Sequence, residues 1–496
     1  MQFNSTAFLL FFPACLLTYY IVPQKCRRFL LLGASYYFYM CWNAKYFVLI
    51  LFSTLITYFG SLALTALNKS GFSQSKIRRY KKLTVACVIT ASLGILFIFK
   101  YSAAFLSYFN ALFVRFGASP FPFTIDLLLP VGISFYTFQS ISYMMDVYRA
   151  EIAAERRFVN YSLFVSFFPQ LVAGPIERSS NLLPQLNTLN GFDYSNFTDG
   201  LKIMVFGFFQ KVVIADRVAV MVNTVYNHPV EYHGAQILLA TLLFAVQIYC
   251  DFAGYSNIAI GAARCMGIHL MRNFATPYFA LSIKEFWRRW HISLSTWFKD
   301  YLYFPLGGSR CSVWRANCNL LLVFTISGLW HGAALHFLVW GVLHGVYQVV
   351  GNLTRPFRKA AYQRLRINEH AWYVRACKLL CTFTLVSFAW RFFRANSIAD
   401  MGILLRSLLD FTAYTQEYWQ LTALGLSARE VTIALCAIVV LLVTSILQRT
   451  PGALARFNKL ALPIRWAVYL CGVFGVLAYG YYGPLAAPSV FVYFQF

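Results

Sequence analysis

Long apolar runs dominate the chain. Stretches of 17 or more residues without Lys, Arg, Asp or Glu recur along its whole length. A segment that long and apolar is a candidate membrane-spanning helix. The pattern predicts spans near 5–22, 29–43, 45–67, 83–100, 125–147, 198–222, 234–262, 375–393, 428–448 and 465–483. Residues 101–116 and 158–175 are shorter and read as interfacial or re-entrant segments, whose backbone must be covered by protein. Residues 316–354 are thirty-nine positions without a single Lys, Arg, Asp or Glu. As one helix they would run ~58 Å, twice a bilayer core of ~30 Å, so a hairpin or broken helix is expected. The expected fold class is an all-α polytopic membrane protein with about 10–12 transmembrane helices plus re-entrant and interfacial helices.

Composition narrows this. The chain is 59% hydrophobic and only 12% charged, against about one-quarter charged for a soluble domain. Soluble enzymes, secreted disulfide scaffolds and disordered chains are excluded. The 42 basic and 17 acidic residues leave a net charge of +25. The positive charges gather in short loops: Lys25, Arg27 and Arg28; Lys69, Lys76, Arg78, Arg79, Lys81 and Lys82; and Arg449, Arg456, Lys459 and Arg465. Such loops stay on the cytoplasmic side, beside anionic lipid. Both termini are then expected to be extracytoplasmic. The excess is a membrane-orientation signal, and no nucleic-acid partner is expected, since no binding motif accompanies it. The twelve cysteines contain no Cys-x-x-Cys, so neither a metal site nor a disulfide framework is expected. The first run lacks a basic start and a clear cleavage site, and reads as a span rather than a removed signal. No internal repeat is visible. The last thirty-one residues, 466–496, are uncharged. Their aromatic end, 484–496, is expected to fold back into protein or membrane rather than stand in water.

Against this apolar background, polar groups are informative, because intramembrane ionisable residues are costly and tend to be functional. His331 lies within Gly328-Leu329-Trp330-His331-Gly332. Imidazole can take a proton from a hydroxyl and return it, although a core histidine bonded to a carbonyl fits the local sequence equally well. His336 and His344 read as helix-packing or interfacial histidines, and Gly341 and Gly345 as a helix-packing pair. The segment 281–304 places Phe286, Trp287, Trp290, Leu294, Trp297, Phe298 and Tyr301 on one helical arc and charges on the other, the pattern of an interfacial helix. His291 sits at the edge of the apolar arc. Asp251 follows a long apolar run, as an ion site, a histidine orienter or a packing partner. Gln139, in a polar segment at 129–139, lines a cavity or packs a helix. No Walker lysine, dinucleotide glycine fingerprint, metal-ligand cluster or Gly-x-Ser-x-Gly elbow is present.

Seven motifs in order resemble the membrane-bound O-acyltransferase family, in its bacterial branch that O-acetylates alginate, related polysaccharides and peptidoglycan. They are Phe-Asn-Ser-Thr-Ala-Phe-Leu-Leu-Phe near the start, Pro-Val-Gly-Ile-Ser-Phe-Tyr-Thr-Phe-Gln (130–139), Val-Ala-Gly-Pro-Ile-Glu-Arg (172–178), Asp-Phe-Ala-Gly-Tyr-Ser (251–256), Phe-Trp-Arg-Arg-Trp-His-Ile-Ser-Leu-Ser (286–295), Gly-Leu-Trp-His-Gly (328–332) and the terminal Phe-Val-Tyr-Phe-Gln-Phe. The resemblance implies one membrane domain over 1–496, with helices in a ring around a central funnel. It implies His331 as catalytic histidine and His291 as the second signature histidine; Trp330, Asp251 and Gln139 stand beside them as cavity or support candidates. It further implies acetyl transfer from a cytoplasmic thioester such as acetyl-CoA, with no bound cofactor, toward an extracytoplasmic glycan at the bacterial inner membrane. An SGNH-type acetyltransferase outside the membrane is the implied partner. The terminal motif suggests Tyr493 as an acyl shuttle; a packing plug is the plainer reading. D-alanyl transfer to teichoic acid, from a branch sharing both histidines, ranks second. A transporter or flippase of an envelope intermediate is a further alternative, disfavoured by the scarcity of intramembrane charge and the lack of a repeat.

Overall fold

The computed structural model describes residues 1–123, 127–172, 174–189, 191–415, 419–482 and Phe491. Among them the regular structure is entirely helical. Six helices are long and apolar enough to cross a membrane: Ala44–Asn68, Gln74–Lys100, Gly234–Cys265, Trp372–Arg394, Ala428–Arg449 and Leu462–Tyr479. Thr6–Ile21 is apolar but shorter. The expected span near 198–222 is helical but interrupted: Tyr194–Phe208 widens into a π-helical segment, Phe209–Ala215, before Asp216–Asn227 resumes the α-helix. On Ala428–Arg449, Leu435, Val439, Leu442, Val443 and Ile446 stand about half exposed. A continuous apolar face of that kind suits lipid, not water. The chain is a multi-pass membrane protein.

The helices form two compact units, Met1–Met204 with Ser256–Arg272 and Val205–Tyr255 with Asn273–Phe496. In the first, buried polar groups tie helices together. Tyr161 Oη donates to Thr57 Oγ1 at 2.6 Å, and the Glu155 amide donates to Tyr143 Oη at 2.9 Å. Gln139, on the helix Ile133–Tyr148, donates to the Phe164 carbonyl at 2.7 Å, and Gln170 donates to the same oxygen at 2.9 Å. Fully buried Glu177 accepts from Asn181 Nδ2 at 2.8 Å and from the Met271 amide.

The second unit holds the uncharged stretch. It folds as a hairpin of two 19-residue helices, Val313–His331 and Leu335–Leu353. Ser312 starts the first by accepting from the Arg315 amide. Glycine lets the pair close: a methyl group at Gly328 would strike the Phe337 carbonyl and approach Gly341 Cα to 3.1 Å. Beyond this hairpin, one arginine ties distant elements. Arg217 donates through Nε to Glu430 Oε2 at 2.6 Å, and through its terminal nitrogens to the carbonyls of Val213 at 2.5 Å and Tyr479 at 2.7 Å. The start of the C-terminal segment is fixed nearby, where the Tyr481 amide donates to the Val212 carbonyl at 2.8 Å.

Candidate active site

His331 is the last residue of its helix, and Gly332 continues in extended backbone. Its ring is buried in an aromatic box. Trp330, Trp340 and Phe393 lie with centroids at 4.7, 4.9 and 5.1 Å, each nearly edge-on. A Cβ at Gly332 would enter the Phe337 ring. The hairpin turn therefore needs glycine next to the histidine, for close approach rather than for backbone freedom.

His291 is placed differently. The expected single interfacial helix is broken into Ile283–Arg289 and Ile292–Phe298, followed by a π-helical turn at Lys299–Tyr303. Ser282 caps the first piece, accepting from the Glu285 amide, while the Glu285 carboxylate accepts from the Leu281 amide at 2.8 Å. That is a variant of the capping box. At the break His291 takes φ +43°, a left-handed conformation unusual for a residue with a Cβ. Neighbours hold it there. The Ile292 amide donates to the Asn273 carbonyl at 2.9 Å, and Ser293 Oγ donates to Asn273 Oδ1 at 2.6 Å. The apolar arc expected to face lipid is buried in protein instead. Phe286, Trp290 and Leu294 are each 1% exposed.

The two histidines meet at one aromatic residue. Trp330 packs 4.7 Å from the His331 ring and 6.2 Å from that of His291, while Phe252 meets His291 edge-on at 4.6 Å. Burial pushes the His291 imidazole down to about 3. It is therefore neutral at ordinary pH, able to accept a proton or donate one N–H, and not a standing positive charge.

Asp251 sits one residue before Phe252, on Gly234–Cys265. It pairs with Lys211, whose Nζ lies 2.7 Å from Asp251 Oδ1 and 2.8 Å from Asp216 Oδ1. The ammonium also faces the Tyr255 ring at 5.2 Å. Lys211 and Asp216 were not singled out from the sequence. Five residues apart on an α-helix they would point ~140° away from each other. The π-helical turn brings them to one side. Gly254 permits the crossing, since a Cβ there would meet the Gly207 carbonyl at 2.8 Å. Asn273 and Ser293 were also missed, because nothing in their spacing marks a pinned turn.

Gln139 lies in the first unit and Asp251 in the second. Tyr493 lies outside the described residues, as does most of the tail 484–496. Phe491, two positions before Tyr493, is fully buried, its ring 4.6 Å from Tyr255 and 5.8 Å from Phe252. His336 Nδ1 is 2.9 Å from the Phe392 carbonyl, and His344 Nδ1 accepts from Trp287 Nε1 at 3.2 Å. Both are packing histidines. No group of three or more metal-ligating side chains occurs among the described residues.

Two imidazoles buried beside one tryptophan are groups that can accept a proton and return it. Residues 149–390, which include both histidines, match the model of the membrane-bound O-acyltransferase family. A probable alginate O-acetylase of Azotobacter vinelandii is 36% identical, over 90% of this chain and 85% of its own length. The peptidoglycan O-acetyltransferase of Helicobacter pylori is 35% identical, over 82% and 80%. A teichoic acid D-alanyltransferase of Bacillus subtilis is 28% identical, over 54% and 69%. The chain belongs to the membrane-bound O-acyltransferase family, and it is a membrane O-acyltransferase.

Proposed function

We propose that this enzyme moves an acetyl group from a cytoplasmic thioester, acetyl-CoA, to O-acetylate an extracytoplasmic polysaccharide or cell-wall glycan at the bacterial inner membrane. The observation that carries the reading is the convergence of His331 and His291 on Trp330, in a chain similar over most of its length to alginate and peptidoglycan O-acetyltransferases. His331 takes the proton of an acceptor hydroxyl, and the oxygen attacks the thioester carbonyl. The tetrahedral intermediate collapses, the C–S bond breaks, and the proton passes from His331 to the leaving thiolate. Neutral His291 positions the donor or offers an N–H to the developing oxyanion.

Tyr493 is the proposed acceptor hydroxyl, handing the acetyl group to an extracytoplasmic SGNH-type acetyltransferase. The burial of Phe491 against Phe252, itself on His291, supports this assignment. With both termini outside, the tail is on the side of the final acceptor. D-alanyl transfer is the weaker reading, because its relatives match a shorter share of the chain at lower identity.

The test is His331→Ala expressed at wild-type level. Ester-linked acetate on envelope glycan is expected to fall to background, a loss of about a thousandfold or more for a general base acting within a positioned site. Persistence of acetylated product overturns the assignment. Mass spectrometry of the C-terminal peptide tests the shuttle separately: absence of acyl-Tyr493 in cells lacking the downstream transferase sinks it.

A further inference from the structure

A cavity of about 420 Å³ opens in the second unit, and neither histidine lines it. Its walls come from the Pro277–Phe279 turn, the start of Trp372–Arg394 and the end of Ala428–Arg449. Phe279, Leu379, Ile446 and Pro451 supply apolar surface, while Arg375 and Arg449 supply charge. Arg449 donates to the Phe279 carbonyl at 3.0 Å and lies over that ring at 4.9 Å.

The charges here are unbalanced. Arg375 and Arg289 both repel Arg449. Glu285 is the near carboxylate, but Arg289 already holds it through two nitrogens at 2.7 and 3.0 Å. Among the described residues no carboxylate forms an ion pair with Arg375 or Arg449. Arg375 also stands near the N-terminus of its helix, where the backbone dipole disfavours a cation. Two guanidiniums of this kind match a phosphate, which they can grip through paired N–H donors. A soluble anion would leave the apolar wall bare. A basic pocket between membrane helices, with apolar surface continuing from it, fits a lipid headgroup and its chain. Arg449 begins the basic loop read as cytoplasmic from its Arg456, Lys459 and Arg465.

We propose that this cavity binds an anionic phospholipid of the cytoplasmic leaflet, with its phosphate between Arg375 and Arg449 and an acyl chain along Leu379 and Ile446. The readout is lipid occupancy, so the proposal stands or falls separately from acyl transfer. The full chain would be placed in phosphatidylcholine nanodiscs doped with phosphatidylglycerol, and retained lipid counted by native mass spectrometry after release. Wild type is expected to retain phosphatidylglycerol in preference to phosphatidylcholine. The double variant Arg375→Gln, Arg449→Gln should lose that preference by about tenfold or more. An unchanged preference overturns the proposal. Leu379→Trp keeps both charges and fills the apolar wall. It should lose the lipid too, and it decides the question if the double variant fails to fold: retention there overturns the proposal. Displacement of phosphatidylglycerol by inorganic phosphate or by coenzyme A would also overturn it, assigning the arginines to a soluble phosphate.

Discussion

The two histidines reach one tryptophan by opposite means. His331 ends a long regular helix, and its position is set by the hairpin behind it, which closes at Gly328 and Gly341. His291 sits at a break between two seven-residue helices, in a left-handed conformation, and its position is set by Asn273 and Ser293. The first arrangement is unstrained and relies on packing. The second is strained and relies on hydrogen bonds. Buried strain of this kind costs about 1–3 kcal/mol and persists only where neighbours over-determine it. The difference teaches that one half of the site fails by steric intrusion and the other by loss of a tether.

The contrast can be broken from either end. The largest effect is expected from Gly328→Leu, which forces the hairpin apart at the Phe337 carbonyl. Overpacking of this sort costs about 3 kcal/mol. A displacement of His331 of about 1 Å should lower acyl transfer about a hundredfold, measured as acetate released or transferred by purified protein. Asn273→Ala leaves the hairpin intact and frees the His291 turn. Loss of its bond to Ser293 should cost about 1–2 kcal/mol in thermal unfolding. Activity should fall about tenfold, and adding Ser293→Ala should add little, because both act through one bond. If the two losses add fully, the tether is not shared.

A third test sharpens the comparison through pH. Burial lowers the His291 imidazole from its ordinary 6.5 to about 3. Between those values the unfolded chain takes up a proton that the folded chain refuses. The contribution to stability is therefore complete above about pH 6.5 and is lost as pH falls toward 3. His291→Asn, whose side chain tolerates the left-handed backbone, should reduce the slope of the acid side of the Tm–pH curve over that window. An unchanged slope would show that His291 is not the buried neutral group.

Much of this was legible in the sequence. Charge-free length demanded a break within 316–354, and the glycines marked where the helices meet. His331 stood out because its surroundings are so apolar, whereas His291, close to Lys284, Glu285, Arg288 and Arg289, stood only at the edge of an apolar arc and was marked by the resemblance. The break at Trp290–His291 was not legible, because an apolar arc at helical spacing fits one continuous helix as well as two. The same arc could not tell lipid from protein, so its aromatic face was assigned outward when it is core. The Lys211–Asp216 pair was hidden for a geometric reason. Its five-residue spacing reads as opposite faces until the wider turn is known. Asp251 was visible, but its partner was not.

Arg217 carries a consequence for biogenesis. Its partners Glu430 and Tyr479 lie 213 and 262 residues further along the chain. While the ribosome is still making the middle of the protein, this guanidinium has been synthesised with its Val213 acceptor, but Glu430 and Tyr479 have not. Insertion must therefore keep it hydrated, or shielded by the insertion machinery, until the last two long helices arrive. A chain stopped before Glu430 lacks the one carboxylate that pairs with this guanidinium among the described residues.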